Sequence, residues 1–105
     1  MSHKVRLTQE TYDQIAGISD HIAQDSPRNA RRWRLALLER LRTLRHFPER
    51  HEIAYPATAV GRDVRHTFFG AYRVLYAIER DTVVVLTVRH GARRPLTLDE
   101  VRRLG

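Results

Sequence analysis

Arginine and histidine side chains held close together can grip a phosphate and move a proton, which is the equipment of a ribonuclease. The chain concentrates such residues in one stretch, Asp63 to Pro95, DVRHTFFGAYRVLYAIERDTVVVLTVRHGARRP. Arg65, His66, Arg73, His90, Arg93 and Arg94 all lie there, spread over apolar runs. Which of them meet depends on two turns. Gly70-Ala71 and Arg80-Asp81 both read as tight turns, so the stretch is expected to form an antiparallel meander. If Arg80-Asp81 is a two-residue turn, Glu79 faces Thr82 and Tyr76 faces Val85; if Gly70-Ala71 is another, Phe68 faces Arg73. Tyr72, Val74, Tyr76, Ile78, Val83 and Val85 then share a face that should lie under helices. The opposite face gathers His66, Phe68, Arg73, Leu75, Val88 and His90, with Arg93 just beyond. A slip of one residue in either turn dissolves that basic cluster.

The elements that must position it come earlier in the chain. Lys4 to Leu7 alternates polar and apolar and reads as a first strand. Thr8 can cap a helix with Glu10 in its first turn, where the dipole favours a negative charge. Tyr12, Ile15, Ile18 and Ile22 recur along one face of that helix. Gly17 interrupts them at a cost of ~1 kcal/mol against Ala, and is expected to allow close packing on the neighbouring helix. Ser26-Pro27 stops this helix and starts a second, with Ser as cap and Pro at the first helical position. The second helix should run to about Phe47, where Pro48 ends it. Its stripe is Ala30, Trp33, Leu37, Leu41 and Leu44. Leu35 and Leu38 point off that stripe, either to touch both partner helix and sheet or to offer an apolar patch to another protein. Glu49 to Gly61 lacks periodicity and reads as a connecting loop. Residues 96–105 form either a short helix or a loose tail.

Composition sets the bounds. A chain of 105 residues is a single domain, residues 1–105. With no cysteine, neither disulfides nor thiolate metal sites are possible, and a reducing cytosol is compatible. Met1-Ser2-His3-Lys4 leads straight into the fold without a signal-peptide core, so a cytoplasmic protein is expected. No apolar run, Val83 to Leu86 included, is long enough to span a membrane. The histidines stand at no shared ligand spacing, His46 and His51 included, so no metal and no cofactor is expected. Nineteen Lys and Arg against twelve Asp and Glu leave a formal charge of +7, and Lys4 is the only Lys among them. Guanidinium forks suit carboxylate or phosphate, so the partner should be acidic.

Read in order, Arg65, then Tyr72-Arg73-x-x-Tyr76, then Val88-x-His90-Gly91-x-Arg93 resemble the ParE branch of the RelE/ParE toxin superfamily. The resemblance covers nearly the whole chain. It implies an α+β fold ordered β-α-α-β-β-β, with a helical hairpin packed on one face of a small antiparallel sheet. It also implies the toxin of a type II toxin–antitoxin system. ParE-branch toxins trap DNA gyrase on cleaved DNA, block replication, and are neutralised by a cognate, ParD-like antitoxin whose C-terminal segment wraps them. No catalytic residue is then required, and nucleic acid is met only through the target. Under that resemblance Arg65, Arg73, His90, Arg93 and Arg94, with Leu35 and Leu38, are the expected target- or partner-binding residues. The similar RelE branch cuts messenger RNA on the ribosome. Its endoribonuclease chemistry is the alternative, carried here by His66, Arg73, His90 and Arg93. His66 stands where that branch often has Lys, and Arg94 to Asp99 offers no counterpart to its terminal Tyr. Arg73 has a second reading, as an anchor between the sheet and the C-terminal tail.

Overall fold

The computed structural model describes residues 2–105; Met1, at the head of the lead-in, lies outside them. Strand β1, Lys4–Leu7, passes directly into helix α1, Gln9–Ala23, whose cap is Thr8 accepting from the Thr11 N–H at 3.1 Å. Ser26 accepts from Asn29 N–H in the same way, and Pro27 opens helix α2, Pro27–Arg42. This second helix ends sooner than its apolar stripe predicts. A 3-10 turn over Thr43–Arg45 tightens its last carbonyls, and Phe47 then turns in a left-handed conformation, φ 47°. Pro48 disfavours right-handed helix at the residue before it, and the Arg50 guanidinium holds the bend by donating to the His46 and Phe47 carbonyls.

The stretch from Glu49 to Gly61 is not a plain loop. It holds a short strand β2, Ile53–Tyr55, and one helical turn α3, Ala57–Val60. Neither is long enough to show a period, which is why periodicity missed them. Then follow β3, Asp63–Phe69, β4, Tyr72–Glu79, and β5, Thr82–His90. The C-terminal segment closes as helix α4, Leu98–Arg103, fixed by a capping box in which Thr97 and Glu100 satisfy each other's backbone N–H.

The sheet has five strands in the order β1-β5-β4-β3-β2. It is mixed, not purely antiparallel: β1 runs parallel to β5, from Lys4 opposite Thr82 to Leu7 opposite Val85. The two hairpins obey the predicted register. Gly70 at φ 57° and Arg80 at φ 58° supply the left-handed residues of the tight turns, placing Phe68 opposite Arg73 and Glu79 opposite Thr82. Beyond Tyr76 the register changes. Tyr76 faces Val85, but Leu75 faces Thr87, so Leu86 is the extra residue of a β-bulge.

Helix α1 fastens that bulge from outside. The Thr11 hydroxyl donates to the Val85 carbonyl at 3.0 Å, Thr8 to the Leu86 carbonyl at 3.2 Å, and the Gln14 amide oxygen accepts from Val88 N–H at 2.8 Å. Side-chain parity flips past the bulge. Val88 therefore packs with Val74, Tyr76, Val83 and Val85 against Ile15, Leu37, Leu41 and Leu44 under the helical hairpin. The expectation that Val88 and His90 share a face with His66 and Arg73 is overturned.

A second core lies on the other side of the sheet. Tyr55, Val60, Val64, Leu75, Ala77, Val84 and Leu86 are covered there by Leu96 and Val101. Strands β4 and β5 are thus buried on both faces, in keeping with the unbroken run Val83–Leu86. The end of the second face nearest the Gly70 turn is left open.

Candidate functional site

That open end carries His66, Phe68 and Arg73. Arg73 Nε donates to His66 Nδ1 at 3.0 Å, so His66 keeps its proton on Nε2, which faces the Glu52 carboxylate at 3.4 Å. The Arg73 guanidinium lies 5.9 Å from the centre of the Tyr55 ring. Across the strands it stands opposite both Phe68 and Arg89. Phe68 is 51% exposed, with its ring edge-on to His66. The pair with His66 leaves the outer nitrogens of Arg73 available to an incoming anion.

Arg73 does not anchor the C-terminal tail. Four other groups do that. The Tyr55 hydroxyl donates to the Leu96 carbonyl at 2.9 Å, Arg62 to the Leu104 carbonyl at 2.6 Å, Arg89 to the Arg94 carbonyl at 2.9 Å, and Arg102 to the Ala59 carbonyl.

His90 lies on the opposite side of the sheet, edge-on to Tyr72 with ring centres 5.6 Å apart, and its Nδ1 accepts from Ala92 N–H. Arg93 sits beside it, exposed on the strand's continuation. Both line a cavity of about 300 Å³ between α1 and the end of β5, with Gln14, Gly17, Ile18, Tyr72 and Val88 as its floor and walls. The bulge has divided the predicted cluster in two: His66 and Arg73 on one face, His90 and Arg93 on the other.

The remaining predicted residues have other duties. Arg65 is a clamp. Its Nε pairs with Asp63 at 3.0 Å, and its outer nitrogen donates to the Glu49 and His51 carbonyls at 2.7 and 2.9 Å. Arg94 grips Glu100 with both outer nitrogens, at 2.8 and 3.1 Å. That pairing, helped by the Thr97 N–H, holds the Glu100 carboxyl down to about 2. Leu38 packs against the core beneath the hairpin, so no two-leucine patch exists; Leu35 alone is exposed, at 53%.

Several residues that matter escaped the sequence. Arg89 stands among Arg93 and Arg94, and burial followed by their repulsion lowers its pKa. Arg40 reaches across to the Phe68 carbonyl at 3.2 Å and lies over the Phe69 ring, steadying the end of β3. His51, edge-on to Tyr76, is lowered by burial and then by Arg50, Arg40 and His66. Its neighbour Tyr76 donates to the Pro48 carbonyl at 2.6 Å, and burial pushes its hydroxyl up to about 12. Among the described residues no three His, Asp or Glu side chains are grouped to hold a metal. No helix among them is long and apolar enough to cross a membrane.

This architecture has known counterparts. The chromosomal ParDE toxin–antitoxin system from P. aeruginosa is similar in structure, with a TM-score of 0.71 at 13% identity, over 85% of this chain and 96% of that one. An archaeal RelE–RelB complex from Pyrococcus horikoshii OT3 is similar at a TM-score of 0.49 and 16% identity, over 90% and 100% of the two chains. No curated protein sequence matches the chain. At such identity the first likeness shows a shared fold. The sequence itself adds the family: residues 5–95 match the model described as ParE toxin of type II toxin-antitoxin system, parDE. The chain belongs to the ParE toxin family.

Proposed function

We propose that this protein inhibits growth in the cytoplasm by poisoning DNA gyrase, and that a cognate ParD-like antitoxin neutralises it. The observation that supports binding over catalysis is the division of the basic residues. A phosphodiester-cleaving site needs a phosphate clamp and a proton donor within reach of the same bond. His66 and Arg73 lie across the sheet from His90 and Arg93, so the four do not form one such site. Inhibition by binding needs only a surface, and a chain of charge +7 suits an enzyme already loaded with DNA.

The RelE-like reading keeps one observation in its favour, the contact of Arg73 with His66 beside an exposed aromatic ring. Purified protein separates the two. With gyrase and supercoiled DNA it should accumulate cleaved, enzyme-bound DNA; with translating ribosomes it should leave messenger RNA intact. Cut messenger RNA with no gyrase-linked breaks would replace this proposal by the nuclease.

A further inference from the structure

Helix α2 turns its apolar stripe inward and its arginines outward. Gly17 of α1, expected to allow close packing between the two helices, is exposed instead, and an added Cβ there would meet nothing within 4 Å. On the outer side of α2, Arg28, Arg31, Arg32 and Arg42 stand exposed along one face, together with Leu35 and Glu39. From Arg28 to Arg42 this face runs about 21 Å, at 1.5 Å per residue. Among the described residues only Arg42 of these arginines meets a carboxylate, that of Glu39 at 3.5 Å. With the two side chains 69% and 71% exposed, the pair contributes little.

The row ends in a hollow of about 350 Å³, lined by His3, Lys4, Val5, Arg42 and Arg45. Backbone bonds build it. His3 N–H donates to the Arg45 carbonyl at 2.7 Å and Lys4 N–H to the Asp81 carbonyl at 2.8 Å, pinning the head of β1 beside the 3-10 turn that follows α2. Arg45 Nε donates to His46 Nε2 at 3.1 Å, which leaves its outer nitrogens to other acceptors. Among the described residues no carboxylate lines the hollow. Glu39 lines only a smaller neighbour of about 80 Å³, and the Asp81 carboxylate accepts from the Thr82 hydroxyl at 3.2 Å. Cations from a strand, a helix end and a 3-10 turn thus converge without a counter-charge, and such a cluster concentrates anions. The His3 ring adds a buried nitrogen, Nδ1, with no partner among the described residues. A bound group explains an atom of that kind.

We propose that this hollow seats a phosphate of a nucleic-acid backbone, while the arginine row of α2 follows further phosphates of the same duplex. Lys4 supplies a point charge and Arg42 and Arg45 supply planar forks, the two ways in which side chains hold phosphate. A run of about 21 Å covers more than half a turn of duplex DNA, roughly 34 Å. An acidic peptide would ask for apolar burial as well, and Val5 is the apolar member of the lining. Backbone contacts of this type fix position and carry no sequence information. The chain then touches nucleic acid itself, and not only through a target enzyme. This contact needs no gyrase.

A short duplex of mixed sequence, titrated into the intact protein over a range of salt and without gyrase, tests it. Saturable binding is expected, weakening steeply as salt rises. Replacing Arg42→Gln and Arg45→Gln together should lower affinity about tenfold or more, and should flatten the salt dependence by about one unit of slope per arginine. The control pair, Arg93→Gln with Arg103→Gln, removes the same charge from exposed positions beyond the end of β5 and should bind nearly like the parent. In the parent, the magnetic-resonance signals of the His3 ring should shift as the duplex saturates. Absence of saturable binding, equal loss from both pairs, or a His3 ring unmoved at saturation would each overturn the proposal. So would pyrophosphate bound as tightly as the duplex, which would mark an adventitious ion only. Gyrase cleavage by the unaltered protein is scored separately, and its failure would leave the phosphate contact standing.

Discussion

Two arginines of one strand pair differ in what they hold, although both stood among the expected target- or partner-binding residues. Arg65 spends its donors on the Glu49 and His51 carbonyls and on Asp63, pinning the segment that leads into β2. Among the described residues the Arg73 side chain hydrogen-bonds only to His66. Leaving buried or half-buried acceptors unpaired costs ~1–3 kcal/mol, while one lost side-chain bond costs about 1. Arg65→Ala is therefore expected to lower the melting temperature clearly, and to abolish growth inhibition only through unfolding. Arg73→Ala should reduce growth inhibition with little change in melting. Thermal melts and growth curves on the same pair of variants check both, and a large melting loss in Arg73→Ala would make it a scaffold residue. The residue types around the site were legible because Arg and His are conspicuous. Their engagement was not, since the acceptors that occupy Arg65 are main-chain carbonyls from a segment without a pattern.

At the scale of elements, the helices announced themselves through Thr8, Ser26 and Pro27, and the hairpins through Gly70 and Arg80-Asp81. The bulge at Leu86 did not. Its one trace in the sequence is Thr87, a hydroxyl set into an otherwise apolar run, which meets Gln14 at 2.9 Å. A bulge is stable only where its unpaired backbone groups find other partners. Gln14 takes the Val88 N–H that the ladder leaves over. Gln14→Ala is thus expected to destabilise the fold by about 1–3 kcal/mol, measured by denaturant unfolding, and to speed amide exchange at Val88 selectively. Uniform exchange with unchanged stability would show that the bulge holds without its helix. The same device decided the site: one extra residue moved His90 and Arg93 to the far side of the sheet.

For the whole molecule, the helical hairpin on a sheet was legible, and the second core was not. Periodicity marks a helix by its length, and α3 and α4 are too short for that. Yet Leu96 and Val101, beyond the span matched to the family, are buried over Leu86, Val84 and Tyr55. Deleting residues 96–105 should expose that face and give aggregation or a molten state, read by dye binding and loss of sharp melting. A truncated chain that melts like the full one would mean the tail is dispensable. The parallel pairing of Lys4–Leu7 with Thr82–Val85 carries a consequence in time. During synthesis the first strand must wait for nearly the entire chain, several seconds at about 5–20 residues per second, before its partner exists. Contacts so distant in sequence also form late in folding. A half-made copy therefore has no finished sheet, and under the proposed function an antitoxin translated alongside has that interval in which to arrive.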